Sequence, residues 1–197
     1  MIVGKAKTSK DPETNRRRQE AGTPRGLFEQ LHSECLFTVD ICAVAHNAKL
    51  VRYVSPKENA LTVAWNAEGL SWLPRCPCRK AERVWCNPPY DDIPSWLIHA
   101  LEPEIAVYLL PARTDRDWFR QWKPRAEVHW FVGEKPHRRL QFEPPPGCTY
   151  SSNPECHLLM CFGLGFIPGR ERWRSGRTYE MLPRFRFAGG ARNGVQL

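Results

Sequence analysis

The chain has 197 residues, with 29 Lys and Arg against 21 Asp and Glu, a formal net charge of +8. Its 42% hydrophobic and 25% charged residues exclude global disorder, and its length allows one domain with tails. No run of 18 apolar residues occurs, which excludes a spanning helix, and the opening MIVGKAKTSKDPETNRRRQE lacks the apolar stretch of a secretory signal.

Residues 1–22 carry six basic and three acidic residues and read as a basic disordered arm. Residues 167–197 carry seven Arg and two Glu and read as a basic Arg/Gly-rich C-terminal extension. Residues 23–166, between them, have no net charge and form the expected folded domain. Basic ends favour a polyanion such as nucleic acid, or serve only as solvated tails. Eight cysteines are too few for a disulfide scaffold in a chain of this size. Cys42, Cys86 and Cys161 stand in apolar runs, which points to reduced thiols in a cytoplasmic setting.

In chain order, Thr23-Pro24 has the form of a helix start, with Thr23 as N-cap and Pro24 at the first helical position, followed by Leu27, Phe28 and Leu31 on one face. LFTVDICA (36–43) predicts a buried strand. Residues 45–49 suit a helix start, 50–54 a short strand and 69–82 a loop. VWC (84–86) predicts a strand that must end at Asn87-Pro88-Pro89-Tyr90, since two prolines donate no ladder hydrogen bonds. IPSWLIHAL (93–101) has helical spacing, and IAVYLLPA (105–112) is a continuous apolar strand. Thr114 and Asp117 resemble a capping box opening TDRDWFRQW. EVHWFVG (127–133) and CHLLMCFGLG (156–165) are two more strands, and after Phe166 the periodicity fades. The alternation predicts an α/β fold, a mostly parallel central sheet with helices on both faces.

Ligands of open α/β sheets bind beyond the carboxyl ends of the strands, where NPPY falls. The motif suits methyl transfer to an exocyclic amine. The amino nitrogen of adenine or cytosine is a poor nucleophile because its lone pair is delocalised into the ring. Two acceptors, the Asn87 side-chain oxygen and the Pro88 carbonyl, can draw it toward a tetrahedral form. Pro88 and Pro89 stiffen the turn, and Tyr90 offers a ring for stacking worth about 1–3 kcal/mol. A base in a duplex must first be flipped out at a cost of a few kcal/mol. The plain alternative is a strand-ending turn.

TPRGLFEQL, FTVDICAVAHNAKLVRYVSP, RVWCNPPYDDIPSWLIHA and VYLLPARTDRDWF follow one another in this order. Together they resemble the phage-type DNA N6-adenine methyltransferase (Dam) family, from about Thr23 to Phe166. The resemblance implies a Rossmann-like S-adenosylmethionine methyltransferase fold acting site-specifically on a flipped adenine in double-stranded DNA. It implies a catalytic motif at Asn87, Pro88, Pro89 and Tyr90. It implies an S-adenosylmethionine segment at Asp40, Ile41, Cys42 and Ala43, with Thr23, Pro24 and Phe28 packing near that cofactor. Arg113 and Thr114, in PARTD, match the segment beside the target base. The chain departs from the family in two places: Ala64 stands where an acidic residue precedes the Trp matched by Trp65, and the 69–83 stretch is longer than usual.

Other residues carry more than one reading. Asp40 is a cofactor contact or the cap of a following helix. Arg113 meets a phosphate or flanking base, or bridges to Asp115. Trp72, with Arg75, Arg79 and Lys80 in its loop, is a DNA-contact candidate. Cys76, Cys78, Cys148 and Cys156-His157 lack the paired spacing of a structural zinc site, so no metal is expected. The other histidines read as surface or partly buried residues, and Trp85, Trp96, Trp118 and Trp130 as core. The expectation is a DNA adenine-N6 methyltransferase of the bacterial cytoplasm, phage- or prophage-encoded, with no membrane partner. An NPPY-type enzyme acting on RNA or a protein glutamine remains an alternative. A non-catalytic nucleic-acid-binding relic, which Ala64 favours, remains another.

Overall fold

The computed structural model describes residues 21–74, 81–133, 139–147 and 155–183. The proposed arm up to residue 20, and the loop residues Arg75, Arg79, Lys80, Cys76 and Cys78, lie outside the described residues, as does Cys148. Among the described residues no helix is long and apolar enough to cross a membrane.

The elements are α1 (Arg25–Cys35), β1 (Val39–Asp40), β2 (Arg83–Cys86), α2 (Ile93–Leu97), β3 (Ile105–Pro111), α3 (Asp117–Trp122), β4 (Glu127–Val132), β5 (His157–Gly163) and β6 (Glu171–Ser175). The strands form one six-stranded sheet in the order β1-β2-β3-β5-β4-β6. The pairs β1·β2, β2·β3 and β4·β6 are parallel, and β5 runs antiparallel to both its neighbours. The fold is thus mixed α/β, with only β5 reversed.

Alternation along the strands builds two cores. Ile105, Val107 and Leu109 of β3 face one side with Leu27, Phe28, Leu31 and Cys35 of α1. Ala106, Tyr108 and Leu110 face the other with Ile93 and Leu97 of α2 and Trp118, Phe119 and Trp122 of α3. This is why β3 reads as an unbroken apolar run: both of its faces are buried. Trp85 and Trp118 are core, and Trp96 and Trp130 are half-buried against it. Cys35, Cys86 and Cys161 are buried free thiols.

Several local expectations shift. The helix begins at Arg25 with Pro24 as its cap residue, which supplies no side-chain hydrogen bond, so Thr23 is not an N-cap. The Arg25 N–H is satisfied instead by Glu143 Oε1 at 2.8 Å. Thr114 does not cap either: α3 starts at Asp117 behind Arg116, without a side-chain cap. The first strand is reduced to Val39–Asp40, because α1 ends at Leu36 in the left-handed conformation (φ 54°) and only a few residues then run beside β2. Residues 45–47 form a turn and no helix. Tyr53 forms a parallel bridge with Asp40, a rudimentary strand outside β1. Gly163 ends β5 at φ +92°, where a Cβ would lie 2.1 Å from the Glu104 carbonyl oxygen, so the turn requires glycine.

The largest departure is β6. It lies where periodicity fades, inside the segment taken as a basic extension, and pairs with β4 from Val128↔Glu171 to Val132↔Ser175. Arg174 is fully buried. Its Nε donates to His129 Nδ1 at 3.0 Å, its Nη1 donates to Glu34 at 2.9 Å and to the Tyr179 carbonyl at 2.9 Å, and its Nη2 also pairs with Glu34. His129, itself buried, passes its Nε2–H to Glu127 Oε1 at 2.8 Å. Burial and the Arg174 cation push the His129 pKa down and keep it neutral. Arg170 and Arg172 lie 3.8 and 3.6 Å from the Glu127 carboxylate. His129 is therefore not a surface residue, and these arginines are turned onto carboxylates of the fold, Arg170 and Arg172 onto buried Glu127 and Arg174 onto exposed Glu34. Replacing Arg174 with Met strands Glu34 and His129; the expected loss is about 3 kcal/mol, read as a lower urea midpoint at unchanged slope.

Candidate active site

Parallel pairing aligns the ends of three strands. Val39↔Val84 and Asp40↔Trp85 set β1 against β2, and Trp85↔Val107 and Cys86↔Tyr108 set β2 against β3. Asp40 through Ala43, Asn87 through Tyr90, and Pro111 through Arg113 thus leave the sheet at the same edge. The reversed strand β5 enters there, with Pro111↔His157 in register.

Asn87 follows β2 directly and is half-buried. Its Nδ2 donates to the Ala21 carbonyl at 3.5 Å, and its Oδ1 accepts from the Tyr90 hydroxyl at 3.0 Å. Pro88 is buried and Pro89 half-buried. The Tyr90 ring lies 5.6 Å from the His157 ring, which packs 4.9 Å from Phe142. Burial raises the Tyr90 hydroxyl pKa well above its ordinary value, so it stays a donor. The Tyr90 carbonyl accepts from Arg113 Nη1 at 3.4 Å. Arg113 Nη2 spans the Glu155 carboxylate at 2.9 and 3.0 Å. The bridge from Arg113 thus goes to Glu155; Asp115 pairs with Arg116 at 3.6 Å. Thr114 is exposed beside it.

Asp40 is 2% exposed. No helix follows it, so the capping alternative has nothing to cap. Its Oδ2 accepts from the Lys49 N–H at 3.0 Å. Burial raises its pKa to about 6, while the Lys49 and Cys42 amides pull it back down. Oδ1 is nevertheless buried without a hydrogen bond of good geometry among the described residues. A buried carboxylate oxygen short of a donor is costly by itself and suits a ligand bearing hydroxyl or amino groups. That chemistry fits the ribose hydroxyls or amines of S-adenosylmethionine. Ile41 is buried and bonded to the Trp85 carbonyl through its N–H at 2.9 Å. Ala43 is buried, and Cys42 is half-buried with its thiol pushed up to about 12 by desolvation, so it stays protonated.

The structure brings the 21–24 segment to this edge through the Ala21–Asn87 contact, and Thr23 and Pro24 are buried there. Phe28 is a core residue of α1, 5.8 Å from Trp85 in an edge-on contact. Trp72 is 47% exposed between buried Leu70 and Leu73. Ala64 is exposed, while Trp65 is fully buried and its N–H donates to Glu102 Oε2 at 2.7 Å. Sequence reasoning missed Glu155 and His157 as neighbours of the NPPY turn, because only the reversal of β5 places them there. Among the described residues no group of three His, Cys, Asp or Glu could hold a metal.

The profile of the DNA N-6-adenine-methyltransferase (Dam) family matches residues 9–164. The chain belongs to that family. It is similar to the DNA N-6-adenine-methyltransferase of Haemophilus phage HP1 (strain HP1c1), at 26% identity over 88 residues. The match covers 42% of this chain and 43% of the phage protein, so the chain spans under half the length of that relative. No solved structure matches.

His157 has its pKa lowered to about 4 by burial. The unfolded chain binds its proton near pH 6.5 and the folded chain does not, so this group withdraws stability as pH falls from 6.5 to 4. Asp40, raised to about 6, acts in the opposite sense, favouring the folded state more as pH falls. The stability difference between pH 7 and pH 4.5 should therefore shrink by about 2 kcal/mol in His157→Asn relative to the parent, measured by urea titration at both pH values.

Proposed function

We propose that this chain is an S-adenosylmethionine-dependent DNA adenine-N6 methyltransferase with a Rossmann-like fold, acting on a flipped adenine in double-stranded DNA in the cytoplasm of a bacterial host as a phage- or prophage-borne enzyme. The observation that carries the reading is the register that puts Asp40 and Asn87 at the ends of adjacent parallel strands. Family membership supports it.

When bound, the cofactor supplies an electrophilic methyl group on sulfur. Asp40 and the main chain of residues 41–43 hold it by accepting from its polar groups, with Thr23 and Pro24 covering the edge. Asn87 Oδ1 and the Pro88 carbonyl accept the two N–H bonds of the adenine amine, and Asn87 is held in orientation by Ala21. Tyr90 stacks on the base. Its hydroxyl already donates to Asn87 Oδ1, whose second lone pair is left for the adenine amine. The Tyr90 carbonyl stays fixed by Arg113 and Glu155 while the ring adjusts. Arg113 is 36% exposed at its side chain and, with Thr114, can reach a flanking phosphate.

Asn87→Ala is expected to lower methyl transfer at least about 10²- to 10³-fold while cofactor affinity changes little. Mass analysis of nucleosides from DNA, RNA and protein of expressing cells reads the product: N6-methyladenine in DNA supports the proposal, and methylation confined to RNA or a glutamine amide replaces it with the alternative substrates.

Tyr90 separates its two roles by substitution. Tyr90→Phe keeps the ring and frees Asn87 Oδ1, so single-turnover transfer should stay within about threefold of the parent. Tyr90→Ala loses stacking worth about 1–3 kcal/mol and should weaken base engagement about 5- to 100-fold, measured by the fluorescence of 2-aminopurine at the target position.

A further inference from the structure

Glu143 lies in the irregular stretch between β4 and β5, yet its polar contacts all end at the candidate active site. Its N–H and carbonyl pair with Gly22 in both directions at 2.8 Å. Its Oε1 accepts from the Arg25 N–H at 2.8 Å, and its Oε2 pairs with the Lys49 ammonium. The segment it fixes, 21–25, carries the carbonyl that orients Asn87. The lysine it holds has its own N–H bound to Asp40 Oδ2.

The Lys49 side chain is only 10% exposed, and an ammonium so covered requires an anion. Two carboxylates compete for it. Glu143 has it now. Asp40 is close enough to feel its charge and has a buried oxygen without a hydrogen bond of good geometry among the described residues. Without Glu143, the Asp40 carboxylate, which already feels the Lys49 charge, is an anion available to compensate it.

We propose that Glu143 is a positioning residue that holds the Lys49 ammonium away from Asp40, keeping Asp40 Oδ1 open for a donor of the bound cofactor. The proposal rests on Asp40 being a cofactor contact. Glu143 is suited to substitution: its side chain is 45% exposed, and the stretch around it is anchored by buried Leu140 and by Phe142 against His157.

The test is calorimetric binding of S-adenosylhomocysteine to the full chain. Glu143→Ala should weaken binding about tenfold or more, Lys49→Met should stay within about threefold of the parent, and the double variant should recover to within about threefold. A role in shape alone predicts that the double variant binds no better than Glu143→Ala, and that result overturns the proposal, as does parental affinity in Glu143→Ala. Should Glu143→Ala fail to fold, Glu143→Gln keeps an acceptor for Arg25 but gives up the charge, and the same order is expected. Asp40→Asn is the separate control. Parental affinity there overturns the Asp40 reading itself, whatever the Glu143 comparison gives.

Discussion

The parallel register of β1, β2 and β3 is the constraint on which the site depends. Because Asp40 is level with Trp85 and Trp85 with Val107, the three strands end together, and the polar residues that follow them meet at one edge. The register is itself held by burial. A slip of one residue would drive Trp85 out of the α1 core and turn Val84 and Cys86 away from theirs. Two prolines then stop β2 at the edge, while β3 continues to Pro111 because β5 pairs along its other side. Apolar packing beneath the site thus sets where the strands end, and Thr38, Arg52 and Glu82 tie the start of β1 to that of β2 by hydrogen bonds.

What was legible in the sequence follows from this. The apolar runs of β2, β3, β4 and β5 announce strands because their signal is local; Asn87 is visible because it directly follows such a run, and Asp40 because it is a carboxylate set inside the apolar run LFTVDICA. Glu143 capping α1 from 118 residues away is a different matter, since no local pattern joins it to Arg25. The same holds for Glu155 against Arg113, which depends on the direction of β5, a property that an apolar run does not encode. Strand β6 was illegible for a sharper reason. ERWRS is polar and charged, and its Arg174 is buried only because Glu34 and His129 supply partners from distant positions, while Arg172, only half-buried, lies against Glu127.

The net charge has to be apportioned anew in that light. The sequence assigns a surplus of +5 to residues 167–197 and none to the middle of the chain. Yet Arg170, Arg172 and Arg174 face carboxylates of α1 and β4. Part of the apparent surplus therefore compensates acidic residues of the folded domain, buried Glu127 and exposed Glu34. Such pairs are retained at a desolvation cost, and removing one partner is far worse than never having had either. The total of +8 is unchanged, because Glu34 and Glu127 are already counted in the neutral middle of the chain; what changes is its placement, with part of the C-terminal surplus lying against the sheet and helix α1.

Asp40 and Asn87 each carry an oxygen that a ligand's donor can use, on different terms. Asp40 Oδ1 lacks a hydrogen bond of good geometry among the described residues, and burial drives the carboxyl up to about 6; Asn87 Oδ1 accepts from the hydroxyl of its own neighbour, Tyr90. The condition of Asp40 lowers the stability of the ligand-free chain relative to one with an apolar side chain there. A ligand that brings a donor to Asp40 Oδ1 relieves the deficit, so part of its binding free energy is stability that the fold had withheld. Saturating Asp40 from within, as the Lys49 ammonium could do, would stabilise the fold and close the site by the same hydrogen bond. The position of Glu143 keeps those two outcomes apart.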